Sequence, residues 1–189
     1  MIHTILDSNP LPLLDFGNPD IFVAHLQLNH GLMLASEPLL EEALKQDLPA
    51  KLKDYYAKHL EEERGHAQWL EKDINTFGVK VKSSWSAAQI AGTQYYLIKH
   101  ISPIALLGYM AAFECRQQSL NDIALLESKY GVDALKCTRY HAENDPQHSE
   151  ELLTMIQMFD EPIIYKNCDW TAKMLNQAIL FDIKGLTDV

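Results

Sequence analysis

Of 189 residues, 47% are hydrophobic and 22% charged, and 26 acidic against 16 basic side chains leave a formal net charge of −10. A chain of that length forms one domain that buries roughly 70% of the surface it exposes when unfolded, and its composition excludes disorder. The acidic balance offers no cationic footprint for nucleic acid.

With 8 glycines and 8 prolines, punctuation is sparse and helical periodicity fills the gaps. One helical domain is expected over 1–189, with an N-terminal arm at 1–18 and core helices from about 19 to 185. The arm has no basic run or sustained apolar segment, and no stretch anywhere reaches the roughly 20 apolar residues of a membrane span. A cytoplasmic, membrane-free protein is therefore expected. Cys115, Cys137 and Cys168 are too few and too widely spaced for a disulfide framework or a zinc site.

The first helix starts at Pro19–Asp20 and runs through IFVAHLQLNHGLMLA, is interrupted at Ser36-Glu37-Pro38, and continues as LLEEALKQ. A long helix from Pro49 to Phe77 stops at Gly78. After the polar link VKVKSSW, a helix begins near Ser86 and runs through Tyr95 and Leu97. Pro103 opens an apolar helix over 104–130 that Gly131 ends. Another starts near Val132–Asp133 and reaches Asp145, where Pro146 either kinks it or opens the helix ending near Phe159. After a loop EPIIYKNCDW, a last amphipathic helix covers Thr171 to Ile183. Strand signals are weak, so the expectation is an all-α bundle of about seven helices.

Three helices carry polar groups where apolar ones belong. The stripe Tyr56, Leu60, Ala67, Leu70, Ile74, Phe77 lacks its member at position 63, which is a glutamate. His66 follows by three residues and His59 precedes by four, spacings that share one helix face. Glu62, four residues from His66, is nearly as well placed, and the spacing leaves Glu62 and Glu63 as alternatives. Glu114 ends the run Ile101 to Phe113, which has no charged residue. A buried unpaired carboxylate is costly unless a metal or basic partner offsets it. His141, Asp145 and His148, spaced four then three, put two imidazoles and a carboxylate on one face. Pro146 lacks an N–H and clashes with the Ala142 carbonyl, a weak point that predicts ordering of 141–148 on metal binding.

Mixed carboxylates and imidazoles without thiolate spacing suit iron or manganese better than structural zinc. In helical bundles, dinuclear sites are built from Glu-x-x-His elements and single glutamates. Here Glu63-x-x-His66 and Asp145-x-x-His148 are the two elements, Glu114 is the bridging candidate and His141 an added ligand. Tyr95, Tyr96, Tyr109 and Trp69 are candidate pocket walls, with plain core packing the competing reading of each.

The strings HLEEERGHAQWL and HAENDPQHSEEL, with the apolar helix ending in Glu114, resemble the haem-oxygenase-like diiron oxidases and oxygenases, relatives of the TenA-like and PqqC-like proteins. The resemblance spans roughly residues 20 to 160 and is most specific at 141–148. It implies a seven-helix haem-oxygenase-like bundle, two non-haem irons and O2 as co-substrate. It also implies oxidation of a small amino-acid-like or fatty-acid-like substrate by C–C cleavage, decarboxylation or N-oxygenation. The implied ligands are Glu62 or Glu63, His66, Glu114, His141, Asp145 and His148, and a homodimer is the family expectation. Some members add a first-helix glutamate, for which Glu37 and Glu41 are the poorly matching candidates. His30 reads as a core or supporting histidine. Haem on His25 or His30 conflicts with internal carboxylates, and Cys115 and Cys137 read as buried apolar residues rather than nucleophiles. The competing functions are a non-catalytic iron-binding protein, a TenA- or PqqC-like enzyme without a diiron site, and a helical interaction module with structural histidines.

Overall fold

A computed structural model describes residues 1–116 and 118–183. Among them the chain forms nine α-helices and no strand. α1 (Ile2–Asp7) lies in the predicted arm and buries Ile2 and Leu6. α2 (Pro19–Leu44) starts where Asn18 accepts a hydrogen bond from the Asp20 N–H, with Pro19 pre-set for the first turn. It runs through Pro38 without the expected interruption, because the exposed ring sits on its solvent side.

The expected helix from 49 to 77 is two: α3 (Ala50–Glu63) and α4 (His66–Asn75). Gly65 between them adopts φ 82°, a left-handed conformation that costs glycine nothing. α5 (Trp85–His100) is capped by Ser84, whose side chain accepts from the Ala87 N–H. The expected helix over 104–130 also divides, into α6 (Leu106–Glu114) and α7 (Leu120–Tyr130), the latter capped by Ser119 and ended by Gly131. α8 (Lys136–Phe159) is continuous through Pro146, so no new helix opens there. The segment taken for a loop at 161–170 is helical, belonging to α9 (Pro162–Ala178), and a π turn follows at Ile179–Ile183. The core boundary expected near 185 lies outside the described residues.

α6, the most apolar helix, is packed between α8 and α9. Gly108 makes that possible: a Cβ there would lie 2.0 Å from the Ile164 carbonyl oxygen of α9. α2 runs along α3, α4 and α5.

The buried apolar residues form two clusters. The larger takes Tyr55, Tyr56 and Leu60 from α3, Leu106 to Ala112 from α6, and Leu152, Met155 and Ile156 from α8. The smaller takes Leu70 and Ile74 from α4, Ile123 from α7, and Cys137 and Ala142 from α8. Two long stretches, α3–α4 and α8, therefore pass from one core to the other. The residues where they cross the seam are Glu63 to His66 and Asp145 to Ser149, and α6 ends at the same seam with Glu114.

Candidate metal centre

At the seam the polar groups turn inward. Glu63 ends α3 and His66 begins α4, so they do not share one helix face as the spacing predicted. The Gly65 turn brings them together instead, with Glu63 Oε1 3.5 Å from His66 Nδ1. The Gly65 N–H donates to Glu37 Oε1 of α2 (3.1 Å), which pins the turn. Donor atoms of Glu63, His66 and His141 all lie within 4.8 Å of one another. His141 Nδ1 donates to the Cys137 carbonyl one turn earlier (2.8 Å), which leaves Nε2 as the lone-pair nitrogen. Trp69 and Tyr140 back the His66 ring at centroid distances of 5.1 and 5.2 Å.

A second group lies alongside. His59 Nε2 is 3.2 Å from Glu114 Oε1 and 3.9 Å from Glu63 Oε1. His148 packs edge-on to His59 with centroids 6.1 Å apart, and its Nδ1 lies 3.9 Å from Asp145 Oδ1. Glu63, rather than Glu114, thus touches imidazoles of both groups.

Six of these residues, His59, Glu63, Glu114, His141, Asp145 and His148, line one cavity of about 290 Å³. Its remaining wall is largely apolar, with Leu28, Leu32, Leu106, Tyr109, Met110 and Phe113. His66 is 2% exposed and stands behind Glu63.

The electrostatics are those of charges crowded in a dry place. Burial alone would raise the Glu63 carboxyl, but the His66 contact and the His59 and His141 charges hold it down at about 2. Burial disfavours the His59 cation, yet Glu114, Glu63 and Glu62 hold its imidazole up at about 8. Burial, reinforced by Glu114 and Glu63, pushes Asp145 up to about 7. Burial lowers His141, against the pull of its Cys137 hydrogen bond and of Glu63. Without a metal the cluster must therefore share protons among its members, which a bound cation would displace.

The residues fit such a cation. His66 Nδ1 and Glu114 Oε2 are buried without a hydrogen-bond partner, which is costly unless something else binds them. Oxygen and imidazole donors without a thiolate match iron or manganese.

Other candidates are placed elsewhere. Glu62 turns toward the surface, where Lys58 pairs with it at 3.4 Å, although its Oε2 comes within 3.7 Å of His59 Nδ1. Glu37 is occupied by the Gly65 N–H and Glu41 is exposed. His30 is buried in α2, outside the cluster. Trp69, Tyr95 and Tyr96 are 41%, 44% and 58% exposed, so of the four predicted wall aromatics only Tyr109 lines this cavity. All three cysteines are free and buried. Burial raises the Cys115 thiol and pushes Cys137 up to about 12, so neither is a ready nucleophile.

His59 is the member that sequence reasoning left without a role. It stands seven residues before His66, the spacing that also separates His141 from His148.

The architecture that holds this site is a haem-oxygenase-like fold. The chain is similar to a crystal structure of a domain of unknown function with a haem oxygenase-like fold from Shewanella denitrificans OS217. The TM-score is 0.61 at 17% sequence identity, over 99% of this chain and 82% of that one. No protein-family profile and no curated protein sequence matches the chain. Among the described residues, no helix is long and apolar enough to cross a membrane.

Proposed function

We propose that the protein is a non-haem diiron oxidase or oxygenase that uses O2 to oxidise a small organic substrate. The observation that carries this reading is the convergence of Glu63, His66 and His141 within 4.8 Å, beside four further nitrogen and oxygen ligands on the same cavity. Glu63, His66 and His141 would hold one iron; Glu114, Asp145, His148 and His59 would hold the other. Glu63, within 3.5 Å of His66 and 3.9 Å of His59, would contribute to both. The irons, when bound, would supply O2 reduction and substrate oxidation.

The chain's own residues do the remainder. Cys137 and the aromatic rings behind His66 fix the ligand orientations, and outer groups of this kind tune metal affinity. Leu28, Leu32, Leu106, Met110 and Phe113 exclude water and shape the space beside the cluster for an apolar substrate body.

Metal analysis of the purified protein is the first test, with about two irons per chain expected. Adding O2 to anaerobic Fe(II)-loaded protein then separates the readings. A transient visible absorption and oxygen uptake coupled to one organic product support the oxidase. Iron bound without turnover indicates a non-catalytic iron protein, and absence of stoichiometric metal removes the proposal.

A further inference from the structure

A molecule that enters the cavity beside the metal candidates must pass from solvent through its wall. Among the described residues that line it, only Leu11 and Gln118 are exposed. Leu11 belongs to the connection between α1 and α2, and Gln118 to the connection between α6 and α7. The way in therefore lies between these two connections, with Leu11 as its apolar edge.

Residues 10–15 have no regular structure, yet the segment is fastened at both ends. At the front, Asn9 Nδ2 donates to Asp169 Oδ1 of α9 (3.1 Å). The carbonyls of Asn9 and Pro10 accept from Arg116 Nη2 (2.9 Å) and Asn176 Nδ2 (3.0 Å). At the rear, the carbonyls of Phe16 and Gly17 accept from the Tyr130 hydroxyl (2.7 Å) and the Lys129 ammonium of α7. The Phe16 ring packs on Phe22 and His25 of α2, with centroids 5.6 and 4.8 Å away.

Between these ties the bonding stops. Among the described residues, the backbone of Leu11, Pro12 and Leu13 has no hydrogen-bond partner in the protein. Pro10 and Pro12 lack an N–H, fix their own φ and bias the residues before them to extended backbone, so the strip is stiff. Leu13 is 94% exposed and Leu11 38%, and Leu14 beyond them packs against the larger core.

We propose that residues 10–15 are a gate over the cavity and that the Leu11 side chain is its plug. The strip swings outward between its two fastened ends, and a small uncharged apolar molecule passes between Leu11 and Gln118. Opening gives up the packing of one part-covered leucine and no backbone hydrogen bond. Moving a helix of the cavity wall would instead disrupt the core. Closing shuts the ligand away from water, as lids over reactive sites do. The inference concerns entry to the cavity and does not depend on what is bound beside it.

The test uses the full-length metal-free protein and 2-naphthol, an uncharged fluorescent probe, with association and dissociation followed by stopped flow. A gate changes both rates together and leaves their ratio alone. Leu11→Ala is expected to accelerate both rates about tenfold while the dissociation constant stays within about twofold. Leu11→Trp, a larger plug, should slow both about tenfold, and Pro12→Gly, a looser strip, should accelerate both about fivefold. Leu13→Ser, in the same strip but outside the cavity lining, should change neither rate, and none of the four should move the melting temperature.

Absence of saturable 2-naphthol binding overturns the proposal, because nothing then passes the opening. So do unchanged rates in Leu11→Ala and Leu11→Trp, or a change confined to dissociation, which makes Leu11 a wall contact only. Equal effects of Leu13→Ser and Leu11→Ala overturn it as well, since the arm as a whole would then be loosened. Iron content of the wild type is measured separately, and a chain without iron overturns the metal centre while leaving the gate standing.

Discussion

The two groups of candidate ligands at the seam are held in different ways. Glu63, His66 and His141 are gathered by a local device, the Gly65 turn, and by rings and a carbonyl packed behind them. His59, Glu114, Asp145 and His148 come from three helices, α3, α6 and α8, with His59 3.2 Å from Glu114 and His148 3.9 Å from Asp145. Within the first group only Glu63 and His66 are pre-organised by covalent neighbours, and His141 reaches them from α8. The second depends on α3, α6 and α8 keeping their packing, so its geometry is as good as the core behind it.

The largest expected effect comes from Glu63→Ala, which strikes both groups at once. Iron affinity should fall by more than about 100-fold, since loss of supporting groups alone costs 10–100-fold; metal content after dialysis reads it. Retention of both irons would place the shared carboxylate elsewhere. His141→Ala should lose one iron and spare the other, whereas Glu114→Ala or Asp145→Ala should lose the opposite one, with oxygen-dependent activity abolished in all three. If every variant loses both irons equally, the two groups are one inseparable site.

Gly65→Ala acts on the first group through the backbone. Left-handed φ at a residue with a Cβ costs roughly 1–2 kcal/mol, so denaturant unfolding should show that loss, together with weaker binding of one iron.

Asp73 offers a smaller and more distant effect. Its carboxylate accepts the Cys137 N–H at 2.8 Å, capping the start of α8 and so setting the phase of His141. Burial pushes this carboxyl up to about 6 from 3.8, although the Cys137 hydrogen bond favours the anion. A raised acid binds its proton more tightly in the folded state. That stabilisation is present below pH 3.8 and is lost as pH rises through about 6. Urea denaturation of wild type and Asp73→Asn across this interval should therefore show the wild type losing stability relative to the variant. Glu62→Gln is the control: its pairing with Lys58 lies at the surface, and iron content should not change.

Much of the fold was legible because helical burial is periodic. Of the predicted stripe, Tyr56, Leu60, Ala67, Leu70 and Ile74 are buried and Phe77 is half-buried, although two helices rather than one carry them. Caps near Asn18 and Ser84 and the stop at Gly131 sit at or beside the predicted ends. The errors share a cause. Pro38 and Pro146 weigh heavily in isolation, yet both remain within continuous helices whose neighbours hold them. The segment at 161–170 lacks a strong stripe but becomes helical against α6, where Ile164 and Cys168 meet Gly108.

The sequence by itself determined that this chain is helical and that carboxylates and imidazoles occupy positions an apolar core would claim, because both facts are written in residue spacing along a single helix. Only the tertiary structure decided that Glu63 and not Glu62 turns inward and that His59 joins the cluster. Those outcomes depend on which face of one helix meets another, and on a seam between two cores that no local spacing encodes.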